Sequence, residues 1–183
     1  MPATAWTLGP ADGQLLLTTG VTGPAAAMGH RLTIAMTSWQ GSVTWADGEP
    51  VTAALTVDVD SLEVLSGEGG VKGLSAAEKA LARSNALKSL NAKRFPQISY
   101  HADDIVKTGD GYRLTGTLDI HGKSRDRVVD LRVEDLGPAW RMSCDAEVSH
   151  SEFGVKPYSM MMGAMKVADE VAVSFVAEHA KDG

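Results

Sequence analysis

Residues 140–148 read WRMSCDAEV, and along this stretch apolar and polar side chains strictly alternate. A period of two places successive side chains on opposite faces of a β-strand, so one face of this strand is apolar and the other is polar. The same alternation recurs in residues 112–120 (YRLTGTLDI), 51–59 (VTAALTVDV) and 31–37 (RLTIAMT). The sequence therefore predicts an all-β protein whose long strands each have one apolar face.

Turn-forming residues separate these stretches, which lets the strands be counted. Glycine-containing sequences at 108–111 (TGDG), 121–124 (HGKS) and 136–138 (LGP) are typical of hairpin turns. The predicted strands are 14–19, 30–37, 42–45, 51–62, 97–107, 112–121, 127–134 and 140–150. A segment at 171–179 would be the ninth strand, or the eighth if 42–45 simply continues a neighbouring strand.

The length of the strands bears on the architecture. Several span ten or more residues, which corresponds to roughly 30 Å. Long antiparallel strands with one apolar face need either a second sheet or closure of the sheet on itself. Because only one long helical pattern is present to cover a sheet, we predict an eight-stranded antiparallel barrel, with a sandwich as the alternative.

The single predicted helix covers residues 76–91. Ser75 and Glu78 have the spacing of a capping box at its start, and Pro96 prevents its continuation. The glycine-rich segment before it, 66–73 (SGEGGVKG), is predicted to be flexible. The helix would act as a lid over one barrel mouth or pack on the outer wall. Its predicted apolar stripe comprises Ala77, Leu81, Ser84, Leu87 and Leu90.

Composition limits the classes of function. A chain of 183 residues is expected to form one domain, 1–183, with a helical insertion at about 75–91. The net charge of −6 disfavours nucleic acid or an anionic membrane surface as the main partner, although a local basic patch remains open. Cys144 is the only cysteine, which excludes an intramolecular disulfide and fits a reducing compartment. We see no signal-peptide pattern and no apolar run of about 20 residues, so we expect a cytoplasmic protein without a membrane span.

A second informative segment follows the strand at 140–150. Residues 153–159 read FGVKPYS, and Gly154 and Pro157 should interrupt the strand ladder. Four methionines follow at 160, 161, 162 and 165. Methionine side chains are flexible and polarizable and therefore suit irregular apolar cavities. The alternative is a loop that simply plugs a packed core.

Five fragments in order resemble the YceI-like family of lipocalin-like lipid binders: 29–34 (GHRLTI), 57–62 (VDVDSL), 94–98 (RFPQI), 114–122 (LTGTLDIHG) and 153–158 (FGVKPY). The resemblance extends from about 30 to 176. It implies a bacterial protein with an eight-stranded antiparallel barrel that holds a long apolar molecule. Ligands of the family include polyisoprenoids such as prenyl diphosphates and quinone tails, and amphiphilic acyl compounds. Many members are periplasmic and carry a signal peptide.

On this reading, apolar residues of the strands and helix line the ligand tail, and residues of the loops contact its head group. A filled core without a cavity is the alternative for the same residues. Lysine can act as a point charge for an anionic head. The predicted tail-lining residues are Leu32, Ile34, Val57, Leu81, Leu87, Leu118, Ile120, Met142, Phe153, Met161 and Phe175, and the predicted head-group residues are Tyr158, Lys72 and Lys156.

Catalytic and metal-binding patterns are weak. The five histidines, at 30, 101, 121, 150 and 179, lack metal-ligand spacing, and no Gly-x-Ser-x-Gly motif occurs. We therefore expect no catalytic residue, no metal and no cofactor, and a non-enzymatic carrier whose partner is a lipophilic small molecule. Two alternatives remain: a barrel enzyme with a histidine base, and a haem-binding barrel with His30 or His121 as the iron ligand. A homodimer is also left open.

Overall fold

The computed structural model describes residues 5–70 and 73–181, which form fourteen strands and one α-helix. Their bounds are as follows: β1 Ala5–Leu8, β2 Gly13–Thr18, β3 Val21–Thr22, β4 His30–Met36, β5 Trp39–Ala46, β6 Glu49–Asp58, β7 Leu62–Gly69, α1 Ala76–Ser89, β8 Gln97–Lys107, β9 Gly111–Ile120, β10 Lys123–Asp135, β11 Ala139–Ser149, β12 Ser159–Met160, β13 Met165–Val167 and β14 Glu170–Ala180.

Eleven of the strands form one antiparallel sheet, in the order β1-β5-β6-β8-β9-β10-β11-β14-β2-β4-β7. This sheet closes on itself because β4 continues into β5 and β6 continues into β7. Met36 at the end of β4 pairs with Leu62 at the start of β7, and Trp39 at the start of β5 pairs with Val57 near the end of β6. The segments β4 and β5 are therefore two parts of one long strand, which lies beside a second long strand made of β6 and β7. In the same way, β1 pairs with β5 and β2 pairs with β4.

The closed ring therefore has eight long strands: β1/β2, β4/β5, β6/β7, β8, β9, β10, β11 and β14, with β14–β2 pairing to complete it. The predicted all-β, lipocalin-like barrel is confirmed, and residues 42–45 indeed continue a neighbouring strand, β4. The main sheet contains eleven separate strands but only eight long ones, because three of the long strands bend and are each interrupted once. Register shifts between Thr33 and Ile34 and between Thr44 and Trp45 occur along the same bent strand, as expected for bulges that curve a sheet.

Residues 66–69 of the glycine-rich segment form part of a strand, although the segment was predicted to be flexible. They belong to β7, which pairs with β4 up to the pair His30–Gly69. A side-chain carbon at Gly67 would come within 2.5 Å of Leu74 Cδ1. The side chain of Leu74, in the segment leading into α1, therefore packs closely over Gly67 and would have to shift if a larger residue replaced the glycine.

Helix α1 begins as predicted, at a complete capping box. Glu78 N donates to Ser75 Oγ and Ser75 N donates to Glu78 Oε1, both at 3.1 Å. The predicted stripe is wrong in register, because Ala77 and Ser84 are exposed. Small residues allow the helix to approach the barrel closely. The side chains that pack against the core are Leu74, Ala82, Ala86, Leu87 and Leu90.

The main hydrophobic core fills the end of the barrel at which β14 ends. Met142 and Ala177, paired in register, are buried there together with Leu8. Trp39 packs edge-on against Phe175 with ring centroids 5.3 Å apart. A second buried cluster, of Ile120, Phe153 and Val155, lies at the opposite end and contacts Leu90 after α1.

Strands β3, β12 and β13 form a small separate antiparallel sheet, in the order β12-β13-β3. The pairs Met160–Met165 and Val167–Val21 define its register. Ala168 N donates to Gly20 O at 3.0 Å, which joins this sheet to the connection between β2 and β3. The methionine-rich segment therefore forms part of a small sheet rather than a plug.

Candidate functional site

The barrel encloses a cavity of about 540 Å³. Its wall consists of the apolar faces identified by the alternating pattern. On β11, Met142, Cys144, Ala146 and Val148 all line the cavity, and the side chains between them point away. The neighbouring strand β14 contributes Val171, Val173 and Phe175, which pair in register with Val148, Ala146 and Cys144.

Burial along the barrel axis shows that the interior is hollow. At the filled end, Met142 is 5% exposed and Ala177 is fully buried. Leu32, Val173 and Phe175 also face the interior, but they are only half-buried. In a close-packed core such side chains would be covered on all sides. Their remaining exposure faces the cavity, so the alternative of a filled core is wrong.

Two elements border the mouth of the cavity. Helix α1 contributes Glu78, Leu81, Ala82 and Asn85 to the lining, which places it over the barrel mouth and not on the outer wall. The guanidinium group of Arg83 holds the helix in place through its Nε, which donates to Leu62 O at 2.8 Å. On the other side the small sheet contributes lining residues, namely Val21, Met160, Met165, Lys166 and Val167.

Two polar side chains of the wall, Tyr100 and Arg127, form hydrogen bonds within the protein, although Arg127 Nε is buried without a partner. Tyr100 Oη donates to Arg127 O at 2.9 Å, and burial raises the pKa of the Tyr100 phenol. Arg127 Nη1 donates to Glu147 O at 2.8 Å, and its Nη2 pairs with the Glu152 carboxylate at 3.1 Å. The cavity wall would therefore contact a bound ligand mainly through apolar side chains.

Cys144 is a weak nucleophile. Burial raises the pKa of its thiol to about 11, and the nearby charge of Asp145 adds to this effect. The thiolate is the nucleophilic form of cysteine, so at neutral pH the reactive species is scarce. Cys144 acts in the wall as a small apolar side chain.

The structure places most of the predicted site residues along one cavity. Those that line it are Leu32, Ile34, Val57, Leu81, Leu118, Ile120, Met142, Phe153, Tyr158 and Phe175. Leu87 instead packs against the hydrophobic core from α1. Met161 is 52% exposed and lies outside the lining, because its left-handed backbone (φ 55°) turns the chain away from the mouth.

Of the predicted head-group lysines, Lys156 is not brought into the cavity wall. Its side chain is exposed, and Lys72 lies outside the described residues. Lys166, which the sequence analysis missed, lines the mouth from β13. No sequence signal identified it, because the three-residue strand β13 is too short to show a period.

Arg127 was also missed, although the sequence contained a signal for it. It shares the period of two with Val129, Leu131 and Val133, so its side chain belongs to the inward face of β10. Of these residues, Arg127, Val129 and Leu131 line the cavity.

The histidines have varied environments. His121 Nδ1–H donates to Phe153 O at 3.3 Å, and its ring packs edge-on against Phe95. His150 Nδ1–H donates to Asp169 O at 2.8 Å. His30 and His150 line the cavity near its mouth, whereas His121 does not. Within residues 5–70 and 73–181, no group of three or more His, Cys, Asp or Glu side chains is placed to hold a metal ion.

A closed antiparallel barrel around an apolar cavity, with one helix across its mouth, defines a lipocalin-like barrel. The model of the YceI-like domain matches residues 6–179, and the chain therefore belongs to the YceI-like family. At the family level, this makes it a barrel that binds lipophilic ligands. No curated protein matches the sequence.

Solved structures show the same fold. BcnA of Burkholderia cenocepacia superposes with a TM-score of 0.70 at 19% identity, covering 93% of this chain and 98% of that chain. The YCEI protein of Campylobacter jejuni superposes with a TM-score of 0.55 at 15% identity, covering 90% and 81%. A mutant CJ YCEI protein gives 0.61 at 14% identity, covering 81% and 84%. None of the helices in the described residues has the length and apolar character needed to cross a membrane.

Proposed function

We propose that this protein binds a long lipophilic molecule inside the barrel and carries or sequesters it without chemical change. Candidate ligands are a polyisoprenoid, a prenyl quinone or an acyl lipid. The observation that carries this proposal is the half-buried state of apolar side chains, such as Leu32 and Val173, inside a closed ring of strands. The cavity, at about 540 Å³, lies within the range of about 300–1,000 Å³ that is typical of small-molecule sites.

The energetics favour recognition of the tail. Each buried methylene contributes about 0.8 kcal/mol, so a ten-carbon tail contributes about 8 kcal/mol before ordering costs. A polar head-group contact contributes only about 1–3 kcal/mol. We therefore expect the tail to provide most of the affinity. The head group, held at the mouth near Tyr158 and Lys166, would select among ligands with similar tails.

Several features support a non-enzymatic role. The thiol of Cys144 is protonated at neutral pH. His150 is committed to Asp169 O through its Nδ1. Of the two histidines considered as haem ligands, His30 lines the cavity and His121 does not, so His30 is the one to test first. Steady turnover of a lipid ester that stops in His30→Ala would overturn the carrier proposal, and a Soret band in the purified protein would favour haem.

The direct test is native mass spectrometry of the freshly purified full chain, followed by organic extraction and identification of the bound molecules. We expect a mass increment that disappears after acid unfolding and corresponds to a long-chain lipid in the extract. The same protein should then take up geranylgeraniol or palmitate from solution. A chain that retains nothing and takes up neither compound would exclude the carrier role.

The cytoplasm is our proposed location. The single cysteine, which leaves no intramolecular disulfide, is consistent with a reducing compartment. Fractionation of cells that express the natural gene, with immunodetection in cytoplasmic and envelope fractions, tests this. Recovery in an envelope fraction would contradict it.

A further inference from the structure

Large apolar side chains are exposed to solvent around the cavity mouth. Met28 is 54% exposed, Leu81 58%, Met160 43% and Met161 52%, and Met162 is fully exposed. Leu81 and Met160 also line the cavity, so this exposed surface is continuous with the interior. Exposed apolar patches of this kind typically mark interaction surfaces.

Most of this patch belongs to one segment, residues 157–165 (PYSMMMGAM), which we call the methionine loop. The loop contains no charged residue, and it is flanked by Lys156 and Lys166, both exposed. Met161 and Met162 have left-handed backbones with φ of 55° and 56°. This conformation is uncommon for residues other than glycine, asparagine and aspartate, and it costs free energy. The fold thus holds two exposed methionines in an uncommon backbone conformation.

We propose that the methionine loop docks the barrel mouth on the surface of an anionic lipid bilayer. This inference rests on the proposed carrier function, because a lipophilic cargo is held in a membrane before uptake. Flexible apolar side chains can enter the acyl boundary of a bilayer, while flanking lysines remain at the level of the headgroups. Lys156 complements anionic headgroups locally, whereas the charge of Lys166 also acts on the nearby carboxylate of Asp169. The whole chain carries a net charge of −6.

The test is co-sedimentation of the full chain with vesicles of phosphatidylcholine alone and of equal parts phosphatidylcholine and phosphatidylglycerol. The informative variant is the double substitution Met161→Asn and Met162→Asn, because asparagine tolerates a left-handed backbone and neither methionine lines the cavity. We expect its partition coefficient to fall at least about tenfold. Lys156→Gln should weaken binding only to the vesicles that contain phosphatidylglycerol.

The matched control is Val106→Asn with Val128→Asn, which removes two exposed valines from the outer barrel wall. This control should bind vesicles like the wild type. Docking is overturned if the wild type binds neither vesicle, or if the methionine variant binds as well as the control. It is also overturned if light scattering shows that the methionine variant converts a dimer to a monomer with vesicle binding unchanged, since a second copy would then cover the patch.

Bound lipid, measured by native mass spectrometry in each variant, separates the two proposals. Retention of lipid by a wild type that does not dock would contradict docking alone. Docking by a protein that holds no lipid in any preparation would contradict the carrier function.

Discussion

Arg127 on β10 pairs with Glu152 across the place where β10 and β11 separate, with Nη2 and Oε1 3.1 Å apart. Backbone pairing between these strands extends only from Asp135–Trp140 to Arg132–Ser143. Nearer the mouth, β10 pairs only with β9 on its other side, and β11 pairs only with β14 on its other side. Arg125 Nε also donates to Glu152 O, at 2.8 Å. Side chains thus connect the two strands where the backbones do not.

Arg127→Met should therefore destabilise the barrel. The variant loses the bond to Glu147 O and the pair with Glu152. The pair is partly exposed, with side-chain exposures of 21% and 41%, so solvent screening limits its contribution. We expect the free energy of unfolding in urea to fall by about 1–2 kcal/mol.

Arg113→Met is the matched control, because Arg113 pairs with Asp130 on strands already joined by backbone hydrogen bonds. That pair is more exposed, at 57% and 66%, and its loss should leave the free energy of unfolding nearly unchanged. If both variants lowered the free energy of unfolding equally, the contacts of Arg127 would contribute no more to joining β10 and β11 than an ordinary surface ion pair.

The thiol of Cys144 should react slowly with iodoacetamide at neutral pH. Its pKa is raised from 9.0 to about 11, chiefly by burial, and the thiolate is the reactive form. The alkylation rate should rise about tenfold per pH unit through pH 10, and a bound lipid should slow it further. A cysteine placed on the outer wall, Val128→Cys in a Cys144→Ala background, should react faster at pH 8. A rate for Cys144 that levels off near pH 9 would contradict the effect of burial.

The carboxylate of Asp169, near the cavity mouth, should make the stability of the folded protein decrease at acidic pH. This carboxylate accepts from Ser151 Oγ at 2.7 Å and from Ser151 N at 2.8 Å, and these bonds lower its pKa below 3.8. A lowered pKa in the folded state stabilises the protein above the unfolded pKa, and this stability is lost as the pH falls through the folded pKa.

Thermal unfolding from pH 6 to pH 2 tests this. Asp169→Asn should be less stable than the wild type at pH 6, and the difference should shrink below about pH 4. Glu170→Gln, which changes the adjacent exposed carboxylate, is the control and should follow the wild type. A difference that stays constant with pH would show that the carboxylate charge is not the cause.

The sequence predicted the barrel wall well, because a period of two determines which face of each strand is apolar. Leu118 and Met142 were assigned to the apolar face of their strands by that rule, and Arg127 could have been. The methionine loop was not predictable, since the left-handed backbones of Met161 and Met162 depend on tertiary structure. Likewise, α1 meets the barrel through Ala82 and Ala86, whose small side chains carry little periodic signal.

Filling the cavity tests the carrier function most directly. Ala146, on β11, faces the interior of the barrel, lines the cavity and is only half-buried. Ala146→Phe should occupy space that a ligand tail needs without displacing the backbone. If the ring excludes two methylenes, each contributing about 0.8 kcal/mol, affinity for cis-parinaric acid should fall about tenfold.

Ala172→Phe is the matched control, because Ala172 is exposed on the outer face of β14 and the same change adds the same ring outside the barrel. Probe affinity in this variant should equal that of the wild type, and both variants should unfold within a few degrees of it. Overpacking in a filled core would instead lower the melting temperature of Ala146→Phe by an amount that exceeds this control. Equal probe binding by the two variants would mean that the tail does not occupy this part of the barrel, whereas loss of binding with unchanged stability would locate it beside Ala146.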